Sequence, residues 1–264
     1  MEFSTVDNYF LTRLPEDIVV DSMVTIHYFE FASDYVFKGE RHDFWEFLYV
    51  DKGEVEIMAE TKGYKLEQGD IVFHKPNEFH SVWANGRIAP NIVVISFSSK
   101  SRSMGFFENK IMKLTAYCRD LLGEIINEGG EYFSNDFGHE YNRLVRRGSP
   151  KFGSGQLIKV YLEMFLIQLF REDISVKNRD RLSAKAKERV EGDTVNNIIE
   201  YMMQNIGGAL SIDDICTKFY LGRTHLKTMF KNSTGKSIIA YFNNMKIKEA
   251  KKLIREGRNN FTQI

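Results

Sequence analysis

Residues 211–231, SIDDICTKFYLGRTHLKTMFK, leave the chain few choices: the spacing predicts two short amphipathic helices joined by a tight turn. Ile212, Ile215, Cys216 and Phe219 fall at i, i+3, i+4 and i+7, one buried stripe. Ser211 and Asp214 have capping-box spacing, where a hydroxyl and a carboxylate satisfy free N–H groups at a helix start. Gly222 interrupts the pattern after Leu221; Leu226, Met229 and Phe230 restart an apolar face, and Gly235 is placed to end it. The second helix carries no acidic residue. Its other face presents Arg223, Thr224, His225, Lys227, Thr228 and Lys231, a cationic, hydrogen-bonding surface of the kind that can lie in a DNA major groove.

Charge supports a division of the chain. The net charge over 264 residues is zero, yet from Asp193 onward there are 11 Lys and Arg against 6 Asp and Glu, so the C-terminal part is basic and the rest acidic. That length allows two domains with separate cores, and 43% hydrophobic with 27% charged residues is an ordinary globular composition. No run approaches the roughly 20 apolar residues of a membrane helix, and the N-terminus lacks the basic-then-apolar layout of a secretory signal. Only Cys118 and Cys216 are present, far apart, which points to a reducing cytoplasm rather than a disulfide framework.

The hydrophobic period changes along the chain. Between about Val19 and Phe97 the segments VTIHYFEF, FWEFLYV, EVEIMAE, DIVFH and NIVVISF are short, β-branched and aromatic, and separated by Gly, Asn or Asp. They predict a sandwich or small barrel. From Glu108 the period becomes helical: ENKIMKLTAYCRDLLGEIINEGG is expected to stop at Gly129-Gly130, and GSGQLIKVYLEMFLIQLFRED forms a second helix. This second helix is apolar on more than one face, so it needs partners on more than one side: either the barrel and a second copy of the chain, or, as an internal core helix, other parts of its own chain. Residues 174–192 are charged with no sustained stripe, an interdomain linker or a solvated helix. VNNIIEYMMQNIGG then opens an all-helical C-terminal part.

The segment SIDDICTKFYLGRTHLKTMFKNSTGKSIIAYFNNMKIKEAKKLI resembles the first helix-turn-helix and following long helix of AraC-type bacterial transcription regulators, over about seventy residues. HDFWEFLYVDKGEVEI and GDIVFHKPNEFH look like the two halves of a cupin barrel, the usual sensor of that family. The resemblance implies an α+β fold: a cupin-like barrel over 1–107, a helical dimerisation region over 108–173, a linker over 174–192 and a helix-turn-helix domain over 193–264. It implies a homodimer that binds DNA under the control of a small-molecule effector, with a sugar as one effector class. In the family pattern FTQI would open a second helix-turn-helix, which is then incomplete at Ile264.

The resemblance also implies where an effector sits. Metal-binding cupins use two histidines and a glutamate from the first motif and a histidine from the second. Here His42, Glu46 and His80 match, while Glu40 stands where the other histidine is expected. With one ligand replaced and family sensors usually metal-free, no metal or other cofactor is expected. Glu40, His42, Glu46 and His80 are read instead as polar contacts to an effector, with Phe44 and Phe73 packing on it. By alternation, His42, Phe44, Glu46 and Leu48 should share the inward face of one strand. His27, His74 and His139 are read as structural or exposed. The sequence has no nucleophile elbow, phosphate loop or zinc spacing, and no catalytic role is expected. Two alternatives stand beside the regulator: a metal-dependent cupin enzyme, and an effector-binding dimerisation fragment with little DNA binding.

Overall fold

The computed structural model describes residues 11–60, 62–173, 184–219 and 221–256. The architecture is α+β: a pair of antiparallel sheets followed by helices. One sheet has five strands, β1 (Ser22–Glu30), β8 (Asn91–Ser98), β3 (Trp45–Lys52), β6 (Asp70–His74) and β9 (Ile111–Lys113), in that spatial order. The other has four, β2 (Val36–Glu40), β7 (His80–Ala84), β4 (Glu54–Ala59) and β5 (Lys62–Glu67).

Period-2 alternation divides the five-stranded sheet between two cores. Trp45, Phe47 and Tyr49 of β3 join Ile71 and Phe73 of β6 and Val93, Ile95 and Phe97 of β8 on the outer face. There they pack under α1 (Ala116–Tyr132) and α2 (Ser154–Glu172) through Leu121, Leu122, Ile125, Ile158, Leu162 and Phe165. The alternate residues Leu48, Val50, Val72 and Ile92 face inward and meet Val55, Ile57, Leu66 and Val82 of the second sheet. Strand β1 is an edge, and residues of the irregular 133–153 segment cover it: Tyr28 N–H donates to Phe137 O at 2.9 Å, and the Tyr141 hydroxyl donates to Ile26 O.

The expected helix from Glu108 begins later than its pattern suggests. Ile111–Lys113 pairs with β6 instead, and α1 starts after Thr115, whose side chain accepts from Cys118 N–H at 3.3 Å. The helix also runs through Gly129-Gly130 to Tyr132, because Leu121, Leu122 and Ile125 anchor it to the outer core.

A third core belongs to the C-terminal helices α3 (Ala184–Gln204), α4 (Ile212–Phe219), α5 (Arg223–Thr234) and α6 (Ile238–Glu256). Val195, Ile198, Met202, Ile215, Leu226 and Phe230 lie at its centre. The capping box forms: Asp214 N–H donates to Ser211 Oγ at 3.1 Å and Ser211 N–H to Asp214 Oδ2 at 2.8 Å. Part of the charged 174–192 segment is helical from Ala184 onward; residues 174–183 lie outside the described residues, as does FTQI. Among the described residues no helix is long and apolar enough to cross a membrane.

Phe47 is fully buried where β3 meets Phe73, Phe97 and Phe165. Phe47→Ala should cost about 3–5 kcal/mol in urea unfolding. Phe152→Ala, at a fully exposed ring, should stay within about 0.5 kcal/mol.

Candidate functional site

Between the two sheets lies a cavity of about 740 Å³. Its wall is mostly apolar, with Phe29, Phe31, Phe37, Leu48, Ile92 and Val94. Alternation in β1 turns His27 and Phe29 inward, opposite to Ile26 and Tyr28. Their rings continue into a stack: His27 on Phe29 at 4.6 Å, Phe29 on Phe31 at 4.9 Å and Phe31 on Tyr35 at 3.6 Å between centroids. Glu140, Tyr141 and Asn142 of the covering segment also line the cavity. Burial, then the Glu140 charge, pushes the Tyr35 hydroxyl up to about 12, so it stays a neutral donor.

Strand pairing assembles a polar end. Strand β3 sets Glu46 opposite His74 of β6 and Ser96 of β8. Strand β2 sets Glu40 opposite His80 of β7 after a bulge in which Lys38 and Gly39 oppose Ser81 alone. Gly39 has φ +102°, and a Cβ there would stand 2.5 Å from Phe79 Cζ and 2.7 Å from the His80 carbonyl oxygen. His42 precedes β3 instead of lying in it, so strand alternation does not place it. It is held by Nδ1 facing Phe44 O at 3.1 Å and by its ring stacked on Phe44 at 3.8 Å.

The polar groups converge closely. His80 Nε2 lies 3.1 Å from Glu46 Oε1, His42 Nε2 lies 3.6 Å from Glu46 Oε2, and Glu40 Oε1 lies 3.8 and 3.9 Å from the two imidazoles. Ser96 Oγ donates to Glu46 Oε2 at 2.6 Å. Burial opposes ionisation of Glu46, but the His42 and His80 imidazoles and the Ser96 hydroxyl outweigh it and hold the carboxyl well below its usual range. The converse applies to His80, where burial is outweighed chiefly by Glu46 and the pKa rises. Burial, then the Glu46 charge, raises Glu40. His74 stacks on His80 at 4.2 Å with Nδ1 3.2 Å from Glu78 Oε2; burial and the His80 charge push it down to about 4, which keeps it neutral at physiological pH. Two imidazoles and two carboxylates in this space can hydrogen-bond a polar ligand group or hold a cation.

Of the residues expected around an effector, Glu40, Phe44, Glu46 and His80 line the cavity, and His42 reaches its Glu46 carboxylate. Phe73 does not. It faces the outer core, 5.4 Å from Phe47 and 4.5 Å from Phe107 between centroids, because His74 takes the inward position of β6. His27 and His74 join the lining, while His139 is exposed beside Asp136. The inward alternation of His27, Phe29 and Phe31 was readable in the sequence; Tyr141 arrives from an irregular segment with no such signal.

On α5, Arg223, Thr224, Lys227, Thr228 and Lys231 are exposed. Arg223 makes a two-pronged ion pair with Asp213 of α4, its Nε 2.6 Å from Oδ1. Thr228 Oγ1 donates back to Thr224 O at 3.0 Å. His225 is half-buried in a cleft that includes Lys38, Glu60 and Phe79 of the barrel. A further basic stripe lies on α6, Lys248, Lys251, Lys252 and Arg255, whose i, i+3, i+4, i+7 spacing places them on one face.

Residues 25–91, from β1 to the start of β8, match the model of the AraC-like ligand binding domain. No curated protein matches the chain. Among solved structures, an apo variant of ToxT from Vibrio cholerae is 11% identical, with 85% of this chain and 98% of that one covered at a TM-score of 0.38. The AraC-like transcriptional activator CuxR is 16% identical, covering 79% and 68% at 0.32. A cupin superfamily protein from Desulfitobacterium hafniense is 15% identical, covering 33% and 84% at 0.28.

The Gly39 bulge that brings Glu40 to His80 admits no side chain. Gly39→Ala should lower the thermal midpoint by several degrees, since backbone strain and two close contacts oppose the added carbon. Gly86→Ala has the strained φ of +78° but nothing within 4 Å, and should cost only about 1 kcal/mol.

Proposed function

We propose that the chain is a sequence-specific DNA-binding transcription regulator, switched by a small molecule held in the barrel; the match of residues 25–91 to the model of the AraC-like ligand binding domain supports this reading. The carrying observation is the cavity itself: a chamber of about 740 Å³ with an apolar wall and one convergent polar end, in the domain that the family model matches. The proposed organisation is a sensor over 1–107, a helical dimerisation region over 108–173, a linker over 174–192 and a DNA-binding unit from 193.

In this reading α4 and α5 act as the helix-turn-helix. Thr224, Lys227 and Thr228 meet base edges or phosphates, and Lys231 positions on the backbone. Arg223 would exchange Asp213 for the O6 and N7 of a guanine. That exchange is cheap, because a solvent-exposed ion pair contributes little to stability. The α6 stripe adds further cations for phosphates. His225 lines the cleft between α5 and the barrel, so effector occupancy and DNA binding can be linked through that contact. An effector shifts such an equilibrium only by its differential affinity for the two arrangements.

Half-exposed Val160 and Phe170 on α2 and Tyr117 on α1 support a dimer through the helical region. The effector's polar groups would meet Glu46 and His80 while its body lies on Phe29 and Phe31. A sugar could use both, stacking on the rings and bonding to the polar end. The proposed role is binding and not turnover.

Selection from random duplexes should yield a preferred site for the full chain. Arg223→Ala should lose about tenfold discrimination at one guanine. Asp213→Asn, which removes a competing carboxylate, should tighten binding to any duplex a few-fold, with a steeper salt dependence. A chain with no preference over random DNA at physiological salt would overturn the regulator reading.

A further inference from the structure

We infer that residues 136–142 are a latch on the mouth of the barrel: they dock on β1 and lift from it as one unit, Tyr141 and Phe137 hold them down, and Gly129 of α1 is the seat that ties this motion to the helical layer.

Tyr141 stands in for a missing strand. The backbone groups of Ile26 face the open edge of β1, where a paired strand would exchange two hydrogen bonds with that residue. The Tyr141 hydroxyl supplies both: it accepts from Ile26 N–H at 3.1 Å and donates to Ile26 O. Burial pushes this hydroxyl up to about 12, so it keeps the proton that the double role needs. Two residues on, Tyr28 N–H donates to Phe137 O at 2.9 Å.

The neck of the segment is clasped, while its tip is held by much less. Ser134 N–H donates to Val145 O at 2.9 Å, and Arg147 N–H to Tyr132 O at 2.9 Å. The Asn135 amide donates to Arg143 O at 2.9 Å and accepts from Val145 N–H at 2.7 Å. The two sides of the neck are thereby tied to each other and to the end of α1. Beyond it, Asp136, Gly138, His139, Glu140 and Asn142 are exposed. A tip that buries so little opens at a far lower free energy than the sheet beneath it.

Gly129 gives the tip its seat. A Cβ there would stand 2.9 Å from Ile26 Cδ1 and 3.2 Å from Phe137 Cζ, so the Phe137 ring lies directly against the α1 backbone. The neighbouring Gly130 has nothing within 4 Å.

The latch also covers a recognition atom. His27 lines the cavity, is 7% exposed and tilts against the Tyr141 ring at 4.4 Å; its Nδ1 has no hydrogen-bond partner among the described residues. Glu140, Tyr141 and Asn142 line the same chamber. An occupant that bonds His27 and lies against Tyr141 touches barrel and latch together, so it favours the docked tip. By reciprocity, the docked tip favours the occupant. This regulatory role rests on the regulator proposal; the latch itself does not.

Amide hydrogen exchange at residue resolution tests the latch on the full chain, with neither effector nor DNA present. Ile26 and Tyr28 should share one protection factor, about a hundredfold or more below that of Phe47 and Leu48 in β3. Tyr141→Phe should lower protection at both residues about tenfold and leave β3 unchanged. Tyr28 does not touch the deleted hydroxyl, so its response separates a tip lifting as a unit from the loss of one bond. Gly129→Ala should also lower both, although it alters neither bond, and Gly130→Ala should lower neither. A fall at Ile26 alone in Tyr141→Phe, an equal fall in β3, or no fall at all overturns the latch. Gly129→Ala indistinguishable from Gly130→Ala at Ile26 and Tyr28 overturns the seat on α1. A chain with the expected exchange pattern that selected no DNA site would keep the latch and lose only the regulator proposal.

Discussion

Strand β3 is buried on both faces, and the rest of the molecule is arranged around that fact. Trp45, Phe47 and Tyr49 need a helical layer on one side, while Glu46, Leu48 and Val50 need a closed chamber on the other. Each large apolar side chain buried there contributes about 1.5–3 kcal/mol, so neither face can be left to solvent. β6 and β8 inherit the same demand through their pairing with β3. The sheet therefore fixes both the seat of α1 and α2 and the inner wall of the cavity. The chamber and the helices proposed to form the dimer lie on opposite faces of one strand.

Within that apolar setting, Glu46 is the exception that gives the chamber its chemistry. A buried carboxylate survives only when other groups replace its hydration. Here Ser96 and two imidazoles do so from β8, β7 and the turn before β3. Three separate parts of the chain thus commit polar groups to one point, and Glu40 arrives through a bulge that only glycine can form. The same bulge sends Lys38 outward, where its Nζ lies 3.3 Å from Asn197 Oδ1 of α3. One short strand touches both the polar end of the cavity and the C-terminal helices.

Much of this was legible in the sequence, for reasons that differ by element. The alternation of WEFLYV and NIVVISF and the capping box at Ser211 are local signals, and the structure contains both. Convergence of Glu46 with His80 was legible only through resemblance to a two-motif barrel, since 34 residues separate them. The helical pattern extends over Ile111–Lys113 in the sequence because a short apolar run before a helix has no period of its own; its pairing with β6 makes it a strand. The aromatic character of Phe73 suggests the cavity wall, yet the register of β6 sends His74 inward and Phe73 out. The Asp213 partner of Arg223 and the cleft around His225 depend on packing between helices and domains, which no single segment encodes.

The central claim is that the end of the barrel marked by Glu46 is where a small molecule controls this chain. A thermal-shift panel of sugars, organic acids and aromatic metabolites, run in parallel on the wild-type chain, Glu46→Gln and Glu56→Gln, addresses it most directly. Glu56 is the control, since its carboxylate bonds Trp83 Nε1 at 2.7 Å outside the cavity lining. The account predicts that one chemical class raises the midpoint of wild type and Glu56→Gln by several degrees and leaves Glu46→Gln unmoved. A compound that stabilises all three chains equally would contradict it.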